Sequence, residues 1–377
     1  MIAESPIYRM HIECPVCRTQ NDFEAIRVGA YTEAGRDTDF RPTGRTWRHP
    51  DYQHLDPLYY SVATCSSCFY TRELDGNYKS WTKDKRFTMY RLKALREAHL
   101  AALAQPDGAL RLLGSHLDME RHPRATTISK LLLGVIDEQI AEGGDRLNVA
   151  RYYLRMSWLF RDLGALLPSA HDRAVGVSEL HARLSSLVRP LESSLSDLRR
   201  LASELRGVGQ TSEFEAALDH LGQAALAVLS KGQQLRPSVE DRPVEPASGQ
   251  SAPFFEDQDY SAFLARVRAL GLEVPLCEED AQGLALDHYK HYFEHCRNFA
   301  SPELEVQTAY LIAEIARRVG RARDASGYFN HAIRKGQELI HEYQNDPTRS
   351  GFLRKVVELA VEQGRKNRDE QESQAEV

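Results

Sequence analysis

Hydrophobic positions change rhythm near residue 88. Before it, apolar residues come in short β-prone stretches, at 23–28 and 59–64, among many Tyr, Thr, Pro, Asp and Arg. After it they recur every three or four positions. That spacing predicts helices over 90–103, 126–140 and 147–163, interrupted by Gln105-Pro106-Asp107-Gly108, by Glu142-Gly143-Gly144-Asp145 and by Gly164. The stretch 178–205 carries Leu at 180, 184, 187, 191, 195, 198, 201 and 205, a heptad-like seam broken by Pro190. It reads as a helical hairpin or short coiled coil, and 214–235 adds an amphipathic helix. Residues 236–258 collect Pro237, Pro243, Pro246, Gly249 and Pro253, the composition of a flexible linker or exposed loop. Helices are then expected at 260–270, 280–299, 303–319 and 322–341. A capping helix follows at 352–364, and the charged end is expected to be disordered.

One of these stretches has a more specific spacing. Ala309, Ile312, Ala313, Ala316, Gly320, Ala325, Phe329, Ala332 and Ile333 resemble the small and large positions of a tetratricopeptide repeat. Small residues at 313 and 325 let two antiparallel helices approach, and Gly320 permits the tight turn between them. Tyr153, Met156, Ser157, Phe160 and Gly164 match the first-helix half of the same pattern. A single repeat cannot bury its own apolar face. The helix at 147–163 and those after 260 are therefore expected to share one layer, with roughly 166–257 inserted between them.

The 377 residues are 42% apolar and 27% charged with a net charge of −6, a balance that suits helices with long solvated faces. The net charge argues against nucleic-acid binding through bulk electrostatics. A local basic face formed by Arg41, Arg45, Arg48, Lys79, Lys83, Lys85 and Arg86 stays open. No signal peptide and no membrane span is read, so the chain is expected in the cytoplasm without membrane contact.

Cysteine usage gives the sharpest chemistry. Cys14-Pro15-Val16-Cys17 and Cys65-Ser66-Ser67-Cys68 are two Cys-x-x-Cys clips, the four thiols of a closed structural Zn²⁺ site, with iron as the alternative metal. Four protein ligands leave no coordination position for a reacting water. Phe69 stands where Gly often follows the last Cys, which predicts a less regular second turn. The spacer, residues 18–64, is 47 positions long against a usual 15–20. It holds Arg36-Asp37-Thr38-Asp39-Phe40-Arg41 and then Pro57-Leu58-Tyr59-Tyr60. A Cys-Pro-x-Cys, an Asp-x-Asp with nearby Arg, a Pro-x-x-Tyr before a second Cys-x-x-Cys, and helical repeats together resemble the DUF2225 family. The resemblance covers about the first 165 residues and, more weakly, the helices after 280; Phe69 and the 166–257 insertion depart from it. It implies a bacterial, cytoplasmic metal-ribbon protein with helical repeats, and no reaction.

Asp37 and Asp39 are spaced to share one side of a strand, as a metal pair or acid–base pair would be. The simpler reading pairs them with Arg36 and Arg41 to fix the long spacer. Tyr59 and Tyr60 read as packing beside the metal core. His288, His291 and His295, followed by Cys296, fall on one helix face and could form a second metal site with Cys277. The plain reading is a half-exposed helix whose Tyr289, Tyr292 and Phe293 face the core, with both cysteines free. The expected architecture is mainly α with a small β-containing zinc-ribbon head and tetratricopeptide-like repeats. Its parts are a metal-binding head (1–85), a helical part (86–165), a Leu-seamed insertion (166–235), a linker (236–258), a repeat domain (259–366) and a tail (367–377). Without a phosphate loop, nucleophile elbow or His-Glu-x-x-His helix, no enzyme is read. The expected role is an interaction scaffold whose helices bind a protein partner, the Leu seam offering either a self-association surface or a cover over the binding face. An RNA- or ribosome-associated ribbon is the alternative.

Overall fold

The computed structural model describes residues 5–141, 144–166, 257–295 and 299–375. It is mostly helical, with small antiparallel strand pairs near the amino terminus. Chain contacts divide it into one compact unit of residues 1–161 and 252–377 and another of 162–251, of which only 162–166 are described. The expectations for the Leu seam and most of the linker therefore lie outside the described residues.

Three separate hairpins make up the β part. Strand β1 (Ile7–Glu13) pairs with β2 (Gln20–Ile26), β3 (Tyr31–Arg36) with β4 (Pro42–Trp47), and β5 (Val62–Thr64) with β6 (Thr71–Glu73). The first and third hairpins each carry a Cys-x-x-Cys clip at the turn, and the second lies in the middle of the long spacer. Strand β1 and the β3–β4 hairpin went unread in the sequence because their faces are half-exposed and polar, which erases period-two alternation. The stretch at 59–64 is strand only from Val62; Pro57–Tyr60 is a 3₁₀ turn whose first N–H groups are met by Asp56, which accepts from the Leu58 N–H at 2.8 Å.

The helices are α1 (Leu92–Leu103), α2 (Ala109–Gly114), α3 (Pro123–Ile140), α4 (Arg146–Leu166), α5 (Asp257–Arg268), α6 (Glu278–His295), α7 (Pro302–Arg318), α8 (Ala322–Glu342) and α9 (Pro347–Ala375). Helix α4 continues through Gly164 instead of stopping there, since an isolated Gly costs a helix only about 1 kcal/mol. Helix α9 runs well beyond the expected 352–364 and covers most of the tail expected to be disordered. Asn367 explains part of this: it is buried and donates to the Ala322 carbonyl at 3.0 Å and the Ser326 hydroxyl at 2.9 Å, tying α9 to the start of α8. Helices α7, α8 and α9 pack against one another. Ala309, Ala313, Ala316, Ala325, Phe329 and Ala332 are buried, and Gly320 turns between α7 and α8 at φ +75°.

The β3–β4 hairpin tip docks on helices from two distant parts of the sequence. Phe40 takes a left-handed conformation (φ 66°) and sets its ring 5.2 Å from that of Tyr310 on α7. Asp39 is fully buried. Its Oδ2 accepts from Arg161 Nη2 at 2.7 Å and from Trp158 Nε1 at 3.1 Å, both on α4, and lies 3.6 Å from Arg318 Nη1 on α7. Asp37 accepts from Arg161 at 2.8 Å and Arg318 at 2.9 Å. Burial pushes the Asp37 carboxyl up, but the Thr38 N–H and the two guanidinium groups outweigh it and hold it below its ordinary value. Tyr310 closes the contact by donating to the Thr38 carbonyl at 2.7 Å, and the buried Glu314 gathers Arg317 and Arg318 behind it. The structural reading of the two aspartates therefore holds, with different partners. Arg36 pairs instead with Glu33 at 3.4 Å, and it is the backbone N–H of Arg41 that reaches Asp39. A local Asp–Arg match is what adjacency suggests, whereas each carboxylate accepts a backbone N–H of its own turn and meets guanidinium groups from α4 and α7.

Removing one partner of such a buried cluster strands the others. Asp39→Ala should lower stability by about 3–5 kcal/mol, read from the urea midpoint, and Asp39→Asn by distinctly less. Unchanged midpoints for both variants would show that the tip is not anchored through this group.

Candidate metal centre

Each Cys-x-x-Cys clip is built the same way. In the first, the Arg18 N–H donates to the Cys14 carbonyl at 3.0 Å; in the second, the Phe69 N–H donates to the Cys65 carbonyl at 3.0 Å. The N–H groups of Cys14 and Cys65 each pair across their own hairpin, to the carbonyls of Thr19 and Tyr70 at 2.9 Å. Arg18 and Phe69 are left-handed, at φ 67° and 63°. The second turn is thus as regular as the first, contrary to the expectation from Phe69. The conformational cost of φ > 0 without Gly is accepted at both places. Arg18 is held by an ion pair to Glu13 at 2.6 Å and lies 5.1 Å over the Trp81 ring. Phe69 packs its ring on α2, where a Cβ on Gly114 would sit 2.1 Å from its Cγ.

The turns bring the four sulfurs together. All lie within 4.8 Å of one another, with Cys14–Cys68 at 3.7 Å and Cys17–Cys65 at 3.5 Å. These separations are far beyond a disulfide bond of about 2.05 Å. A tetrahedron with metal–sulfur bonds of about 2.3 Å has edges of about 3.8 Å, close to what is seen. The donor set thus fits a metal ion. Cys14, Cys65 and Cys68 are buried and Cys17 is partly exposed. Backbone N–H groups face the sulfurs: Cys17 toward Cys14, Ser67 and Cys68 toward Cys65, and Tyr70 toward Cys68. With thiols alone the cluster cannot carry four negative charges. Hydrogen bonding with Cys65 pushes Cys14 up to about 12, and bonding with Cys14 and Cys65 drives Cys68 higher still, while Cys65 is held low as the shared acceptor. A bound cation is what lets all four ionise together.

A second layer braces the clips, and sequence reasoning missed it. Asn21 on β2 joins them: its Oδ1 accepts from the Ser66 N–H at 2.9 Å, while its Nδ2 donates to the Thr19 carbonyl at 2.9 Å and approaches Cys65 Sγ at 3.5 Å. Arg96 on α1 donates to the Pro15 carbonyl at 2.7 Å, and Trp81 Nε1 to the Glu13 carbonyl at 2.9 Å. His99, fully buried on α1, donates from Nε2 to the Cys68 carbonyl at 2.8 Å; its Nδ1 meets Asp137 of α3 at 2.6 Å. The other oxygen of Asp137 accepts the Thr71 N–H at 2.7 Å. A buried carboxylate in the apolar run of α3 and a lone His in α1 were the available signals. Tyr70, Tyr78, Phe87, Leu92 and Leu95 fill the core around the cluster. Tyr59 packs as expected, and its hydroxyl accepts from Arg124 Nε at 3.1 Å.

The histidine face does not converge. His288 is buried, accepts from Arg146 at 3.2 Å on Nδ1, and directs Nε2 to Glu273 at 3.2 Å. His291 and His295 stack on each other at 4.2 Å and are exposed, as is Cys277. Tyr289 is buried, but Tyr292 and Phe293 are only partly so. Among the described residues the four clip cysteines are the one group of three or more Cys, His, Asp or Glu side chains close enough to share a metal; Cys296 lies outside them.

Residues 7–176 match the model of DUF2225, described as an uncharacterized protein conserved in bacteria, so the family seen in the motifs holds over that segment. Comparison with curated proteins and with solved structures gives no match.

Two outcomes follow from these contacts. Gly114→Ala should destabilise by about 1–3 kcal/mol by driving a methyl group into Phe69. Most of that loss should disappear when Phe69→Gly is already present, because the two changes share one contact; additive losses in denaturant melts would contradict it. Burial, only partly offset by Glu273, holds His288 below its ordinary value of 6.5. The unfolded chain therefore takes up a proton first, and stability should fall as pH drops from about 6.5 through the folded-state value. Against Arg146, Glu273 and Asp287, which face this ring, His288→Gln should flatten the decline of urea midpoints between pH 7.5 and 5. An equally steep decline in the variant would assign acid sensitivity to other groups.

Proposed function

We propose that this chain, with its DUF2225 segment, is a non-catalytic interaction protein of the bacterial cytoplasm built around a structural Zn²⁺. The observation that carries the reading is the donor set: four protein sulfurs, three of them buried, all within 4.8 Å of one another. Zinc bound by Cys14, Cys17, Cys65 and Cys68 would hold two hairpins together and neutralise their thiolates, with no position left to activate water. Iron fits the same sulfurs and is the competing metal. Among the described residues no helix is long and apolar enough to cross a membrane, which agrees with a role away from the bilayer.

On this reading, α7 and α8 form a tetratricopeptide-like hairpin. Its small residues bring the helices together, and stacked neighbours present a face to a peptide or protein partner. A second reading, association with RNA, is favoured by one feature of the head. Lys79, Lys83, Lys85, Arg86 and Lys93 are exposed and make no side-chain ion pair or hydrogen bond among the described residues, and Tyr90 beside them is 76% exposed. Arg45, from the basic set read in the sequence, is instead paired with Asp56 at 2.6 Å.

Elemental analysis of the purified full chain should find one zinc per molecule. In-cell cross-linking should then place protein partners at exposed lysines of the last helix, such as Lys355 and Lys366. Ultraviolet cross-links to RNA at Tyr90, with an affinity that falls steeply as salt rises, would favour the second reading. An exchangeable water on the metal would defeat the structural role.

A further inference from the structure

Helices α4 and α7 do not close on each other along their whole length. On α4, Leu147, Arg151, Leu154 and Trp158 follow one another at four, three and four residues and share a face. Leu304, Thr308 and Leu311 do the same on α7. Between these faces lies a cavity of about 180 Å³, bounded at one end by Asp39 and Phe40 of the hairpin tip and floored by Tyr289 of α6. An apolar cavity of about 150 Å³ is enough to hold benzene. Arg151, Trp158, Leu304 and Gln307 are each partly exposed, so the space opens to solvent.

The charges around it are unequal. Asp39 is consumed by Arg161, Arg318 and Trp158, and Arg155 is paired with Glu73 at 2.6 Å. Arg151 has no ion-pair or hydrogen-bond partner among the described residues. A guanidinium at the mouth of a leucine-lined space recruits an acceptor that matches its planar fork. One positive charge with no partner among the described residues suits a singly charged carboxylate, whereas a phosphate dianion would need a second donor group. The walls, meanwhile, favour a hydrocarbon group.

We infer that this cavity is a binding site for an apolar monocarboxylate, with the carboxylate on Arg151 and a group of leucine or benzene size between Leu147, Leu154, Leu304 and Leu311. The same chemistry is offered by a free branched-chain or aryl carboxylic acid and by the last residue of a peptide ending in an apolar side chain. The inference does not depend on whether the helices dock a protein partner.

Binding can be followed with the full metal-loaded chain by saturation-transfer NMR and titration calorimetry. The probes are 4-methylpentanoate and acetyl-Ala-Ala-Leu, each against its amide. The acids should bind at least tenfold more tightly than the amides. Arg151→Gln should bring the acid down to the amide level, and Arg151→Lys should retain part of the preference. Far-UV circular dichroism checks that each variant is folded. Leu304→Trp, at the partly exposed mouth, should block acid and amide alike. Binding of 4-methylpentanoate alone would identify a small-molecule site, and binding of both acids a site open to peptide ends. Equal affinity for acids and amides, unchanged binding in Arg151→Gln, or no binding of any probe at millimolar concentration would overturn the assignment.

Discussion

A buried carboxylate cannot stay charged unless it is surrounded by donors, and Asp39 obtains its donors from two helices far apart in the chain. Arg161 and Trp158 come from α4 and Arg318 from α7, so the requirement to satisfy one oxygen fixes where three elements meet. The hairpin tip consequently belongs to the helical body as much as to its own strands. The cysteine-bearing hairpins and the carboxy-terminal helices lie in one compact unit, and the tip of the long spacer is one of the places where they are tied together.

The metal centre follows a similar logic on a smaller scale. Two identical turns present sulfur and N–H groups inward, and the strain at Arg18 and Phe69 is offset by specific contacts on the outside. His99 and Asn21 take up the backbone and side-chain groups that the turns leave over and help to fix the orientation of the cysteines. Such an arrangement braces both clips from the surrounding helices and strands.

Much of this was legible in the sequence where a pattern is local. The cysteine clips announce themselves by spacing, and the long helices by their apolar period; the bounds of α3, α7 and α8 differ from expectation by at most a few residues. What was not legible depends on contacts across long separations. Nothing near Asp39 names Arg318 as its partner, and nothing near Cys68 names His99. The exposed hairpin β3–β4 hides because its face turns to water, and α9 outlasts its apolar pattern because Asn367, a polar residue, does the anchoring. The histidines at 288, 291 and 295 show the opposite failure: a good linear spacing whose members end in different environments, one buried and two exposed.

The grip of Arg318 on Asp37 spans 281 residues of chain. At about 5–20 residues per second, a ribosome needs about 14–56 s to add that much polypeptide. Arg161 and Trp158 emerge earlier and can take hold of the tip, but through that interval Asp37 lacks its second guanidinium and Phe40 lacks the Tyr310 ring. Final closure around the tip is thereby deferred until α7 has been made, and a nascent chain released before residue 318 would hold the tip through α4 alone.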